Sequence, residues 1–143
     1  MSALLVLPLV MAPLAYFVGR LVRPSWSRWL ALATLIVLCA LFGLDAGGQV
    51  PASLSVGALA LRMDALSLLF TGLTLTLALL VVIYAVTETA GQSGEEKYYA
   101  LLLILTGALI GVASATDLFN LWLWFELMVV ATYFLVSFRR RSE

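Results

Sequence analysis

Long uncharged apolar runs constrain this chain more than any other feature of its sequence. Five such runs cover residues 1–19, 29–44, 65–87, 98–116 and 118–138. Only the last contains a charged side chain, Glu126. A helix needs about 20 residues to cross the roughly 30 Å hydrocarbon core of a bilayer. The runs therefore predict an all-α integral membrane protein with five transmembrane helices.

The composition excludes several classes of protein. Of the 143 residues, 64% are hydrophobic and 11% are charged, whereas a soluble domain is about 25% charged. The net charge is zero, so nothing indicates nucleic-acid binding. The high hydrophobic content makes the lipid bilayer the expected environment. The chain has no His and one Cys, Cys39, which excludes an internal disulfide and a His- or Cys-rich metal site. No nucleotide loop or cysteine cluster indicates a cofactor, so the chain is not expected to be catalytic alone.

The runs and their flanks predict one membrane domain, residues 1–143. Its helices are expected at about 3–20, 28–45, 64–86, 98–115 and 117–138. The first segment carries no charge before Arg20, so we interpret it as a retained helix and not a cleaved signal. The polar stretch TETAGQSGEEK, residues 87–97, predicts a solvated loop.

The positive residues predict the orientation of the chain. By the parity of the helices, one side of the membrane receives seven of them: Arg20, Arg23, Arg28, Lys97, Arg139, Arg140 and Arg141. The other side receives only Arg62. Because short cytoplasmic loops are enriched in Lys and Arg, the N-terminus is expected outside and the C-terminus in the cytoplasm.

Glu126 is the strongest candidate functional residue. It lies nine residues after Asp117, which is about 13 Å into the membrane at 1.5 Å per residue. A carboxyl group at that depth costs roughly 2.5–3.5 kcal/mol against lipid, so we expect it to face protein or trapped water. Burial disfavours the charged form of a carboxyl, and such a group can take up and release a proton. The alternative is a permanently protonated Glu that only bonds a neighbouring helix.

Hydroxyl groups provide a candidate water path near this acid. Ser67, Thr71 and Thr74 share one face of the third helix, at i, i+4 and i+7. They either line water or bond to carbonyl groups of their own helix. Tyr133 lies seven residues after Glu126, near the same face, and either extends a proton path or packs as an aromatic ring.

Four further residues are predicted to have structural roles. Asp64 and Asp117 come directly before apolar runs and suit the N-caps of the third and fifth helices. Gly107 and Gly111 have the G-x-x-x-G spacing that lets membrane helices approach closely. We interpret these two glycines as a packing face.

The segment YYALLLILTGALIGVASATDLFNLWLWFELMVVATYFLVSF, residues 98–138, resembles the antiporter-like membrane subunits of respiratory complex I and of Mrp-type cation/proton antiporters. The matching features are the Asp-Leu-Phe-Asn opening at 117–120, the aromatic-Phe-Glu-Leu-Met core at 124–128, and Tyr133. The segment RMDALSLLFTGLT, residues 62–74, looks like the start of that family's third helix. The DLFN tetrapeptide leans towards the Mrp D-type branch and its complex I relatives.

The resemblance implies a function, and it also implies a partner residue that this chain does not contain. Glu126 matches the family's proton-handling glutamate, which is paired there with an intramembrane lysine of a later helix. This chain has one lysine, Lys97, in a predicted loop. The resemblance thus implies the N-terminal portion of a proton-translocating subunit of an energy-transducing membrane, with other membrane subunits as partners, one supplying the lysine. The alternatives are a structural or assembly subunit with Glu126 permanently protonated, and a truncated non-functional fragment.

Overall fold

The structure, a computed structural model, describes residues 2–46, 52–56, 59–89 and 94–141. In chain order its elements are α1 (Ser2–Leu21), α2 (Pro24–Ala46), β1 (Ala52–Val56), β2 (Leu59–Met63), α3 (Ala65–Glu88), α4 (Glu95–Ser114) and α5 (Leu118–Arg141). All five helices are long and apolar enough to cross a membrane. The predicted fold class, a helical multi-pass membrane protein, is therefore confirmed, while the side of the membrane that each end faces stays a prediction.

Helix α4 forms the centre of the bundle and packs against each of the other four helices. In the membrane-spanning part of α4, 56% of the residues are buried, whereas in that of α5 the share is 11%. Helix α5 packs chiefly on α4. It therefore lies at the edge of the bundle, with most of its surface directed outward.

Small residues allow α1 to approach α4 closely. A Cβ atom added at Gly107 would lie 3.1 Å from Leu9 and 3.3 Å from Pro8 of α1. Near the other end of α1, a Cβ atom at Gly19 would lie 2.5 Å from Glu96 of α4. A side chain at Gly19 would overlap α4 and one at Gly107 would press on α1, so these glycines let the two helices approach closely.

Two helices begin earlier than the charge pattern predicts. Helix α2 begins at Pro24 and α4 begins at Glu95, against predicted starts at 28 and 98. Proline is favoured in the first helical turn because its missing N–H has no helical partner there. Carboxylates are favoured in the first turn by the helix dipole, and α4 has Glu95 and Glu96 there. Polar residues thus extend both helices beyond their apolar runs.

A β-hairpin connects α2 to α3. Strands β1 and β2 pair antiparallel, with Ala52 opposite Met63 and Val56 opposite Leu59. Because side chains alternate along a strand, Leu61 and Met63 are buried while Arg62 between them is exposed. Leu61 also forms a β-bridge with Ala115 after α4, which fixes the hairpin against the bundle.

Candidate functional site

A local cap fixes the start of α5 and thereby the direction of each of its side chains. The Asp117 carboxylate accepts a hydrogen bond from the backbone N–H of Asn120 at 2.9 Å. Its second oxygen accepts one from the side-chain amide of Asn120. This is the contact expected of an N-cap carboxylate, and it lies where the sequence places Asp117.

The inward face of α5 consists of Asn120, Trp124 and Ala131, all of them buried. Their spacing of four and seven residues places them on one side of the helix. The Trp124 ring lies so close to Gly111 of α4 that a Cβ atom there would overlap it. The indole and the glycine therefore lock α5 onto α4.

Glu126 lies on the other side of α5. It follows Trp124 by two residues, which is a rotation of about 200°, and its side chain is exposed. It is eight residues past Leu118, about 12 Å along the helix. The expectation that Glu126 faces protein or trapped water stays a prediction, since among the described residues its side chain points away from α4. It points away because α5 lies at the edge of the bundle and packs through its Trp124 face.

Large side chains surround Glu126 on this exposed side. Trp122, Val130 and Tyr133 are 56%, 48% and 71% exposed. We call the four residues Trp122, Glu126, Val130 and Tyr133 the outer face of α5. It combines one carboxyl and one phenol with apolar side chains on a surface that the described residues leave uncovered.

The hydroxyl residues of α3 lie elsewhere. Ser67 and Thr71 are buried and Thr74 is partly buried. The Ser67 hydroxyl lies 2.6 Å from the carbonyl oxygen of Ala113 in α4. The Thr71 hydroxyl is buried without a hydrogen-bond partner among the described residues.

The predicted water path is therefore divided. The hydroxyl residues of α3 face the bundle interior, whereas Tyr133 points away from it on the outer face of α5. Helix α4 packs against both α3 and α5. The structure brings Tyr133 to the same side as Glu126 and leaves the hydroxyl stripe inside the bundle.

Gly107 and Gly111 lie at two different helix contacts. Gly107 faces Leu9 and Pro8 of α1, and Gly111 faces Trp124 of α5. The one-turn spacing thus serves two of the four neighbours of α4, α1 and α5. The sequence indicates the small residues, but only the fold shows that each approaches a different helix.

Asp64 begins α3. Its Oδ1 atom accepts a hydrogen bond from the backbone N–H of Ser67 at 2.8 Å and lies 3.0 Å from the Ser67 hydroxyl. The backbone bond, followed by the hydroxyl, holds the pKa of Asp64 below its ordinary value. This geometry is that of an N-cap.

A polar cluster that the sequence pattern did not predict lies at the end of the bundle where α4 begins. Glu95 has 1% of its side chain exposed, and its Oε1 atom lies 3.2 Å from Nε of Arg28 in α2. These two atoms attract electrostatically without the alignment of a hydrogen bond. One turn along α4, the buried Tyr99 hydroxyl lies 3.0 Å from that of Thr89 at the end of α3. The available signal was that Arg28 and Glu95 fall on the same predicted side of the membrane.

Comparison with known proteins finds relatives that match a part of this chain. No family model matches the chain. Subunit N of F(420)H(2) dehydrogenase from Methanosarcina mazei is 38% identical over 82 residues, which are 57% of this chain and 17% of that protein. Na(+)/H(+) antiporter subunit A1 from Staphylococcus haemolyticus is 32% identical over 83 residues, which are 58% of this chain and 10% of that protein. The chain thus spans less than a fifth of the length of either relative.

A solved structure shares the fold. It is the membrane-bound sulfane sulfur reductase, described as an archaeal respiratory membrane complex. One of its chains matches 92% of this chain with a TM-score of 0.78, and the match covers 29% of that chain. The sequence identity is 18%, so this likeness concerns the fold alone.

Fold and comparisons together define a multi-pass integral membrane protein that shares the fold of part of one chain of an archaeal respiratory membrane complex. The resemblance seen in the sequence is confirmed over the matched part, where the chain is similar to subunit N of F(420)H(2) dehydrogenase and to subunit A1 of a Na(+)/H(+) antiporter.

Proposed function

We propose that this chain is the N-terminal portion of a proton-translocating antiporter-like subunit in a complex I-like or Mrp-like assembly. Glu126 is its intramembrane proton acceptor and donor. The observation that carries the proposal is an exposed carboxyl about 12 Å along α5, on the side opposite the Trp124 contact. Facing lipid there costs roughly 2.5–3.5 kcal/mol. That cost favours an assembly in which other membrane segments cover the outer face of α5.

The covering segment is expected to carry a basic group. A cation within about 4–6 Å favours the charged form of a carboxyl, and its withdrawal favours proton uptake. The one lysine of this chain, Lys97, is exposed near the start of α4. Another membrane segment or subunit must therefore supply the lysine that the family resemblance implies. Movement of that lysine relative to Glu126 would couple the proton to conformational change.

Tyr133 carries the hydroxyl group of the outer face of α5 and continues a path along it. Its Cα lies about 10 Å from that of Glu126 along the helix, at 1.5 Å per residue. This separation needs water between the carboxyl and the phenol, since a hydrogen bond spans about 3 Å. We therefore assign the path to the outer face of α5 and give the α3 hydroxyl stripe a packing role.

The experiment is proton flux into proteoliposomes that contain the native complex with Glu126→Gln. Gln is close to Glu in shape but cannot carry a proton, so flux is expected to fall to the background of empty vesicles. Glu126→Asp keeps the carboxyl and is expected to retain part of the flux. Glu96→Gln, at the end of the bundle, is the matched control and should transport normally.

Assembly is measured in the same preparations by co-purification of the partner subunits. Loss of flux from a fully assembled Gln variant supports the proposal. Full flux in that variant would overturn it and favour a structural subunit with Glu126 permanently protonated. Equal loss with Gln and Asp would show that the carboxyl must also reach its position, because Gln keeps the shape of Glu and lacks only the proton.

A further inference from the structure

An apolar groove runs between α2 and α3, away from the outer face of α5. Its volume is about 700 Å³, and its lining includes Phe42 from α2 and Leu68, Leu69, Gly72, Leu73 and Thr76 from α3. Leu69 and Leu73 are 68% and 55% exposed, so the groove opens on the outside of the bundle.

The groove has almost no hydrogen-bonding capacity. Thr76 is the one polar side chain among its lining residues, and its hydroxyl donates to the carbonyl oxygen of Gly72 at 2.8 Å. Gly72 makes room for the Phe42 ring, which a Cβ atom there would approach to 3.1 Å. The groove therefore suits an apolar ligand.

The length of the groove matches one leaflet of a bilayer. Its lining along α3 extends from Ala65 to Thr76, which is about 17 Å at 1.5 Å per residue. Half of the roughly 30 Å hydrocarbon core is about 15 Å. Because Ala65 is the first residue of α3, the groove begins at the expected membrane surface and reaches towards the midplane.

A basic side chain lies close in sequence to the first lining residue of the groove. Arg62 precedes Ala65 by three residues and is exposed, because its neighbours Leu61 and Met63 are buried on the opposite side of β2. A guanidinium group binds phosphate oxygens in a bidentate fashion. The adjacent Asp64 carboxylate is bonded to Ser67, which ties that negative charge to the start of α3.

We propose that the α2–α3 groove binds one acyl chain of an anionic glycerophospholipid whose phosphate contacts Arg62. The apolar lining, the one-leaflet length and the exposed arginine three residues before the lining fit this occupant together. Arg62 also attracts the Asp64 carboxylate, but an apolar membrane helix of another subunit would offer its guanidinium no further anion, whereas a lipid phosphate does. The proposal does not depend on proton transfer by Glu126.

The test uses the native complex in phosphatidylcholine nanodiscs with trace photoactivatable phosphatidylglycerol, with the diazirine in its acyl chain. Labelling of the α3 peptide is measured by mass spectrometry and compared with that from photoactivatable phosphatidylcholine. Phosphatidylglycerol is expected to label about fivefold more, which corresponds to the ~1 kcal/mol of one basic residue near anionic lipid. Arg62→Gln should remove this preference, and the matched control Arg20→Gln should keep it.

A second pair of variants tests the groove itself. Thr76→Phe fills the groove from an exposed position and should lower labelling by both lipids. Leu80→Phe, one turn further along α3 and 58% exposed, is the matched control and should leave labelling unchanged. Equal labelling by both lipids together with an unaffected Arg62→Gln variant would overturn the proposal and indicate unselective surrounding lipid. A groove protected from both lipids and cross-linked to another subunit would overturn it in favour of a partner helix.

Discussion

Hydroxyl groups in the membrane-spanning helices differ in whether their hydrogen-bond acceptor lies in their own helix or in a neighbouring one. Thr34, Thr106 and Ser114 each donate to the carbonyl oxygen four residues earlier in their own helix. Such bonds satisfy a polar group without any neighbouring helix. Ser67 differs because its hydroxyl contacts the carbonyl oxygen of Ala113 in α4. It is therefore the hydroxyl of this set that links two helices.

At the same scale, the contact between Gly111 and Trp124 should be intolerant of even one methyl group. Gly111→Ala is expected to destabilise the protein by about 1–3 kcal/mol, because overpacking forces the ring or the backbone to move. Gly43→Ala is the matched control, since a Cβ atom there has nothing within 4 Å. Thermal unfolding in detergent, followed by tryptophan fluorescence, measures both. Equal midpoints for the two variants would contradict the close approach of α5 to α4.

The N-cap of α3 should depend on pH. The pKa of Asp64 is lowered in the folded state, so its carboxylate stabilises the fold above the unfolded pKa of about 3.9. That stabilisation is lost as the pH falls through the lower folded pKa. Hydrogen exchange at the Ser67 amide measures it: protection is expected near neutral pH and should decline only in acid.

Two substitutions separate charge from hydrogen bonding at this cap. Asp64→Asn keeps an acceptor oxygen without a titrating charge, so protection at Ser67 should persist in acid. Asp64→Ala removes the acceptor and should lose protection at every pH. If wild type and Asp64→Ala exchanged alike near neutral pH, Asp64 would have no capping role.

At the scale of elements, the ends of α2, α3 and α4 meet in one polar cluster. Arg28 contributes from α2, Thr89 from the end of α3, and Glu95 and Tyr99 from the first turns of α4. Removing one partner of a buried ion pair leaves the other charge uncompensated. The cluster therefore holds three helix ends in one arrangement.

Exchange of the charges of Arg28 and Glu95 tests this polar cluster. Glu95→Gln is expected to cost about 3 kcal/mol of stability, because Arg28 loses its counter-charge in a largely buried position. The double variant Arg28→Glu with Glu95→Arg should recover part of that loss. Thermal unfolding of the single and double variants gives the coupling energy, with Glu96→Gln as the neighbouring control. The single variants for this comparison are Arg28→Glu and Glu95→Arg. If the stability loss of the double variant equalled the sum of their two losses, a specific pair would be ruled out.

At the scale of the whole molecule, burial is uneven. Helix α4 is enclosed by the other helices, while α5 exposes the side that carries Glu126. The matched relatives are much longer than this chain. The outer face of α5 is therefore expected to be a contact surface in the complete assembly.

A photo-cross-linking amino acid at Tyr133 tests this expectation in native membranes. Tyr133 is 71% exposed, so the substitution should not disturb the bundle. Cross-links to polypeptide outside residues 1–143 are expected. Tyr84 of α3, 68% exposed, is the matched aromatic position for comparison. If Tyr133 gave lipid adducts alone, the outer face of α5 would be lipid-facing, and the proposed partner of Glu126 would be excluded.

The sequence by itself determined the five membrane helices, the N-caps at Asp64 and Asp117, and the small-residue positions on α4. These features depend on local properties: the length of an apolar run, a carboxylate before it, and a missing side chain. Glu126 stands out on the same grounds, because a lone acid in an apolar run is visible without a fold.

Only the tertiary structure decided which way these residues face. Helical periodicity places Glu126 and Trp124 on opposite sides of α5, but the Gly111 contact determines that Trp124 faces inward. The pairing of Arg28 with Glu95 likewise joins residues far apart in the chain. Periodicity gives relative angles within a helix, whereas inward and outward are defined by the neighbouring helices. For this reason the sequence predicts the acid, and the packing of α5 on α4 decides that it lies on an exposed surface.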